Sequence, residues 1–419
     1  MNELMTIWAE WIKPSAGLPT VQWSILLALA AVAGQLVNRY TGLPKVIGYS
    51  AVGAFAGLAG FTGAAWPLQG TGLFLLELGV AVVLFEAGGR ISLRWFRHNP
   101  MLLVQSVAES ALTFFGVRWL LSSFGMPAVV AESLALVAMA ASPAVLSRVA
   151  IDTRAAGPVT ERALALSTLS SLYALTLCSA RAGMLPRGEA GLSNTLLPVL
   201  VVLGLSVVVG AVLALVLRAA LRVMSPTSEN TAILLLAMIA AGAALAANFG
   251  GSAPLAALLG GMLLKQLNPR PWSWPRQMGT ASSMLTMLMF VLVSVVAAQA
   301  DWSRPVAGLV IGLVLVRMLA KVAGVSLGNA RSGASWKQSL WVGCAMSPMS
   351  SVALLLVSQY VAASGPIGDQ VAMVALPAIL LMEVLGAVLA TVALYRAGEC
   401  SKPWAPVVRA VSTGPVHES

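Results

Sequence analysis

Ala141-Ser142-Pro143 and Met346-Ser347-Pro348 each fall in the middle of a long apolar stretch, and how they are read decides the fold. Proline has no amide hydrogen to give a helix and crowds the carbonyl one turn earlier. Each stretch is therefore expected to divide into two half-helices with unpaired backbone at the junction. Loose backbone is costly at membrane depth and is tolerated only where protein buries it or a wet cavity reaches it. Interrupted helices at corresponding places in two halves of a chain point to the binding site of a secondary transporter built from inverted repeats.

Composition places these stretches in a bilayer. Of the 419 residues 58% are AVILMFWYC and 10% are charged, and the mean hydropathy is +0.88, too apolar for an ordinary soluble domain. The basic pI near 10.1 does not indicate nucleic acid, because Lys and Arg are scattered between apolar segments and form no basic face. Cys178, Cys344 and Cys400 are isolated and His98 and His417 are the only histidines. No zinc or redox spacing exists, so no cofactor is expected. Met1 to Pro14 carries Glu3 and Glu10 and no apolar core, so no cleavable signal is expected; within an interfacial segment 1–20, Leu4, Ile7, Trp8, Trp11 and Ile12 are expected to form a short helix.

Segments long enough to span a bilayer number 13: 21–38, 44–61, 71–89, 100–120, 127–148, 160–181, 194–217, 230–248, 252–266, 281–298, 305–327, 338–360 and 367–395. With the N-terminus outside, 18 Lys and Arg fall on inner connections and five on outer ones; Arg317 and Lys321 lie within a span. The positive-inside rule then predicts an N-out, C-in protein of an inner (plasma) membrane, bacterial in type. An odd seventh span between two sets of six inverts the second set relative to the first. Both proline breaks fall in the fifth span of their set, a coincidence the counting did not impose. The expected fold is an all-α polytopic membrane protein with two crossing discontinuous helices.

Ionisable groups at membrane depth are functional candidates. Lys321 lies deep in span 11, with Arg317 one turn away on the same face. A lysine there can compensate the carbonyl ends of the broken helices and, once out of water, release a proton; the ordinary alternative is a lysine snorkelling to the surface. Glu109 is mid-span 4, Glu86 near the inner end of span 3, and Glu383 mid-span 13. Each could instead be a protonated packing residue. Ser142 and Ser347 at the breaks and Ser170-Ser171 in span 6 can bond back to helix carbonyls or offer neutral oxygen ligands beside unwound backbone.

At these residues the chain resembles the monovalent cation:proton antiporter superfamily. Gly42-Leu43-Pro44-Lys45-Val46-Ile47-Gly48-Tyr49 is similar to the family's second span, and Glu77-Leu78-Gly79-Val80 through Glu86-Ala87-Gly88 to its third. Ser142-Pro143-Ala144-Val145 with Arg148-Val149 resembles the first broken helix. Gly251-Ser252-Ala253-Pro254 with Gly260-Gly261 resembles the ninth span, Lys321 a core lysine, and Ser347-Pro348 with Val352-Ala353-Leu354 the second broken helix. The resemblance implies a homodimer in which an elevator-like core (about 100–181 and 305–395) moves against a panel (about 21–89 and 230–298), with linker helix 194–223 and tail 396–419. It implies monovalent cations and protons as partners, and no enzymatic activity.

One departure matters. Where the family has Asn-Asp or a similar pair in the sixth span, this chain has Ser170-Ser171. A serine does not ionise at working pH, so a cation would meet Lys321 with no anion from that helix. Three readings follow. Glu109, Glu86 or Glu383 replaces the missing acid and cation exchange is kept; or Lys321 and the half-helix N-termini bind an anionic or organic solute; or the protein is a non-transporting regulatory membrane subunit. A Ser171–Lys321 hydrolase lacks a nucleophile elbow and an oxyanion motif.

Overall fold

Pro143 is the first residue of a helix, a position where its missing amide hydrogen costs nothing. The chain, a computed structural model, is described over residues 20–404 except 62, 65, 92–95, 97, 186–191, 226–227, 269–275, 301 and 330–332. The anticipated interfacial helix near Trp8 and most of the tail lie outside that range. Helix α5, Ala128–Met139, ends where the backbone turns extended at Ala140; Ser142 then caps α6, Pro143–Thr153, accepting a bond from the Val145 amide at 3.3 Å. The second interruption is longer. Helix α13, Trp336–Ala345, opens with a capping box between Ser335 and Gln338, and α14, Ser351–Ala363, begins only after residues 346–350 have run without helical structure.

The remaining helices are α1 (Thr20–Thr41), α2 (Lys45–Leu58), α3 (Gly70–Arg90), α4 (Pro100–Ser123), α7 (Pro158–Met184), α8 (Leu192–Val223), α9 (Glu229–Asn248), α10 (Ala253–Leu267), α11 (Arg276–Ala298), α12 (Arg304–Leu327) and α15 (Gly365–Arg396). The described residues contain no strand; a lone bridge joins Ala155 to Cys400. Counting α5 and α6 as one, ten helices among the described residues are long and apolar enough to cross a membrane, while α2, α10 and α14 are apolar but shorter. This is an all-α integral membrane protein with two discontinuous helices.

Burial separates the helices by role. The α5–α6 span is 89% buried in its most apolar stretch, whereas that of α1 is 17% buried. Interrupted backbone is thus enclosed by protein, as its unpaired groups require, and α1 turns Val21, Ile25, Leu29, Val32 and Leu36 outward.

Small residues allow close approaches between helices. Gly53 and Gly57 of α2 lie against the backbone of Val291 and Val295 on α11, and Gly88 of α3 against Leu258 on α10, where Gly261 returns the contact to Phe85. The second helix of each repeat thus packs on the third helix of the other, the pairing an inverted duplication demands. Glu399, beyond α15, accepts bonds from the Val159 and Thr160 amides at 2.7 and 2.8 Å and from Thr160 Oγ1 at 2.6 Å. It supplies the N-terminal cap that Gly157 cannot give to α7.

Candidate functional site

The two breaks touch. The Ser142 amide donates to the Pro348 carbonyl at 2.9 Å, so extended backbone from one half-helix pair satisfies backbone of the other. Arg317 of α12 completes the junction. Its Nε donates to Ala138 O at 2.8 Å and Nη2 to Ala140 O at 2.7 Å; Nη1 donates to Ser347 O, and Nη2 reaches Pro348 O at 3.4 Å. One planar guanidinium therefore ties carbonyls of both breaks. These include the last carbonyls of α5, where helix dipoles leave partial negative charge, and a fixed fork of donors suits them better than a single ammonium.

One turn on, Lys321 is fully buried. Its Nζ donates to Glu109 Oε2 at 2.6 Å and to Met139 O at 2.8 Å, with Ser170 Oγ at 3.4 Å. Glu109, also fully buried, accepts at Oε1 from Ser110 Oγ at 2.9 Å and from Ser170 Oγ. A carboxylate on α4 thus stands beside Lys321, and Ser170 of α7, in the span where the resemblance leads one to expect an acid, is bonded to it. Ser171 donates to Ala141 O at 2.8 Å and to Ser167 O at 2.9 Å, joining α7 to the first break. Inside a protein an ion pair is stable only with good geometry and further hydrogen bonds; here the carboxylate has three partners and the ammonium three.

The other proposed acids lie elsewhere. Glu86 pairs with Arg90 at 2.7 Å and accepts from Ser282 Oγ at 3.0 Å. Glu383 is bonded to Ser50, Ser294 and Ser350, and Lys321 is not among its hydrogen-bond partners. Of the serines at the breaks, Ser142 acts as a helix cap, while the buried Ser347 hydroxyl has no hydrogen-bond partner. Ser110 went unnoticed in the sequence although it adjoins Glu109. The carbonyls of Ala138, Met139 and Ala140 carry no side-chain signal at all.

Two cavities approach the site from opposite ends of α7. One, about 610 Å³, is lined by Glu86, Arg90, Pro143, Ser147, Thr160 and Thr168. The other, about 910 Å³, is lined by Ser110, Phe115, Met139, Tyr173 and the ion-paired Arg118, Glu132 and Arg181. The first touches Pro143 and the second Met139, on either side of the first break, and the Lys321–Glu109 pair has no exposed surface. Among the described residues no group of three or more His, Cys, Asp or Glu is placed to hold a metal.

Crossed discontinuous helices around a buried ion pair, approached by cavities from two directions, define the fold of an ion-coupled secondary transporter. The family model for the sodium/hydrogen exchanger transmembrane domain matches residues 25–395; the chain belongs to that family of cation:proton antiporters. Its fold is similar to that of the sodium proton antiporter MjNhaP1 from Methanocaldococcus jannaschii solved at pH 8, with a TM-score of 0.67 and 17% identity over 89% of this chain and 97% of that one. An electron-microscopy map of MjNhaP1 gives a TM-score of 0.60 at 18% identity, covering 96% of each chain. No curated protein matches this chain.

Proposed function

We propose that this protein exchanges a monovalent cation, sodium or potassium, for protons by alternating access, at a site built from Glu109, Lys321 and Ser170. The observation that carries this reading is the 2.6 Å contact between Lys321 Nζ and Glu109 Oε2, both fully buried. A cation entering the site takes the place of the ammonium as partner of the Glu109 carboxylate. Lys321 then gives up its proton to the open cavity, and the site's total charge is unchanged. Ser110, Ser170 and the Met139 carbonyl supply neutral oxygens on the path of that swap. Returning the proton to Lys321 restores the pair and expels the cation, so each cation moved one way accounts for one proton moved the other.

Movement between the two cavities is assigned to the α4–α7 and α12–α15 core sliding on a panel of α1–α3 and α9–α11, with α8 as the connecting helix. The core contains both breaks, Arg317 and the ion pair, so the site would travel as one body. Orientation is N-out and C-in, which makes the cavity beside Arg90 the inner one and that beside Arg118 the outer, in a protein of thirteen crossings. The apolar outward residues of α1 and α8 are the faces offered to lipid or to a second copy in a homodimer.

An anionic solute at Lys321 is the weaker reading, because Glu109 already matches the lysine charge and would repel an anion. The test is flux in proteoliposomes under an imposed pH gradient, with sodium, potassium, lithium and common anions offered in turn. Cation-driven movement of protons, abolished in Glu109→Gln, supports exchange. Flux of an anion alone would favour the solute reading, and no flux of any ion would make the chain a regulatory subunit.

A further inference from the structure

Glu383 is a second fully buried acid, half-way along α15. Its Oε1 accepts from Ser50 Oγ and, at 3.2 Å, from Ser294 Oγ; Oε2 accepts from Ser350 Oγ at 2.8 Å. The three hydroxyls come from α2, α11 and the last residue of the second break. Gly386, one turn further, rests on the backbone of Pro348, and a larger residue would lift α15 away from the break. The position is therefore built.

Among the described residues no positive charge is bonded into the nest. Charged and titratable groups on the helices packed against α15 are Lys45 and Tyr49 of α2, Glu132 of α5, and Arg148 and Asp152 of α6. The others whose side chains the structure describes are Arg304, Arg317 and Lys321 of α12, Lys337 and Cys344 of α13, and Tyr360 of α14; α15 itself adds Asp369, Tyr395 and Arg396. None of these is a hydrogen-bond partner of Glu383, whose three bonds all go to serine. Hydroxyl dipoles soften a buried negative charge without cancelling it, and a carboxylate so placed takes up a cation.

We propose that Glu383, Ser50, Ser294 and Ser350 form a second monocation site, separate from the Lys321–Glu109 pair and occupied by a proton or an alkali cation. The site itself rests on geometry; its consequence rests on the panel-and-core reading above. Ser50 and Ser294 belong to the panel, Ser350 and Glu383 to the core, so an occupied and neutral site lets the boundary close dry. An empty one carries a charge that draws water in and loosens it.

The test is difference infrared spectroscopy on the full chain in lipid nanodiscs, titrated with acid and with sodium chloride. A protonated-carboxyl band should be present in wild type, absent in Glu383→Gln and retained in Glu109→Gln. If sodium removes the band and releases one proton per chain, an alkali cation shares the site; if sodium leaves it unchanged, the occupant is the proton alone. Either result supports the proposal. Ser294→Ala and Ser350→Ala keep the acid and should shift the band, which covers the case of Glu383→Gln failing to fold. Spectra with no band assignable to Glu383 and sodium binding equal to that of Glu383→Gln would overturn it. Loss of exchange in Glu109→Gln with the Glu383 band intact bears only on the first site, so the two readings fail separately.

Discussion

Gly324 of α12, three residues beyond Lys321, lies directly against the backbone of Glu109 on α4. Nothing larger than hydrogen fits there, and this contact sets the spacing at which an ammonium on one helix meets a carboxylate on the other. Gly324→Ala is expected to push α4 from α12. Overpacking of this kind costs about 1–3 kcal/mol, and the charge pair, which depends on a 2.6 Å separation, loses more than the packing does. Thermal unfolding in detergent should show a modest drop while proteoliposome exchange falls severalfold or more. A variant that transports normally would mean the approach of the two helices does not govern the pair.

The pair itself predicts strong non-additivity. Removing one member leaves the other as an uncompensated buried charge, at about 3–5 kcal/mol; removing both leaves neutral, hydrogen-bonding side chains. Glu109→Gln and Lys321→Gln should each unfold at markedly lower temperature than wild type, and the double variant should recover part of that loss. All three should be inactive. Additive stability losses would show that the two side chains are not coupled in the folded protein.

Arg317 and Lys321 differ in duty although the sequence presents them as one basic turn. Arg317 spends its donors on four carbonyls of the two breaks, each charge-assisted bond contributing about 1.5–3 kcal/mol net. Arg317→Lys keeps the charge but not the fork. The expected result is lower thermal stability and slower exchange with little change in the apparent affinity for cation, because the crossing loosens while the Glu109 oxygens remain. A large loss of affinity with unchanged stability would instead place Arg317 at the ion.

Much of this arrangement could be read from residues alone, and the remainder could not for identifiable reasons. Pro143 and Pro348 revealed both interruptions, although Pro143 starts its half-helix and Pro348 sits inside a five-residue gap. Apolar runs gave the helices, and the depth of Lys321 in its span gave the lysine. Choosing among Glu109, Glu86 and Glu383 was beyond reach, because pairing depends on how α4, α3 and α15 are rotated about their axes, and a helix with apolar residues all round has no amphipathic face to reveal that rotation. Backbone ligands such as Met139 O are invisible by nature. The Gly324 contact needs the partner helix to be known first.

Exchange at a Lys321–Glu109 pair also has a defined pH signature. Each cation that binds must displace one proton, so acid competes with cation. Raising the pH should lower the half-saturating cation concentration, by up to about tenfold per pH unit while Lys321 is protonated in the unloaded site, and should leave the maximal rate less affected. Flux measured at several pH values and cation concentrations tests this. Half-saturation independent of pH would separate cation binding from the lysine proton.

Ser171 offers the sharpest test of how this family member differs from its resemblance. Its hydroxyl bonds Ala141 O at the first break, so Ser171→Asp would place a second carboxylate beside the crossing, on the helix where the resemblance leads one to expect it. The site would then carry one more negative charge than Lys321 and Glu109 balance, and a buried charge of that kind seeks a partner. Extra cation or extra protons should fill it. The variant is therefore expected to bind cation more tightly and to move unequal charge, so that exchange becomes sensitive to a membrane potential set with valinomycin and potassium, with sodium as the test ion, whereas the wild type responds little. A variant that remains indifferent to potential would show that Ser171 lies off the cation's path and that Glu109 alone answers for charge at the site.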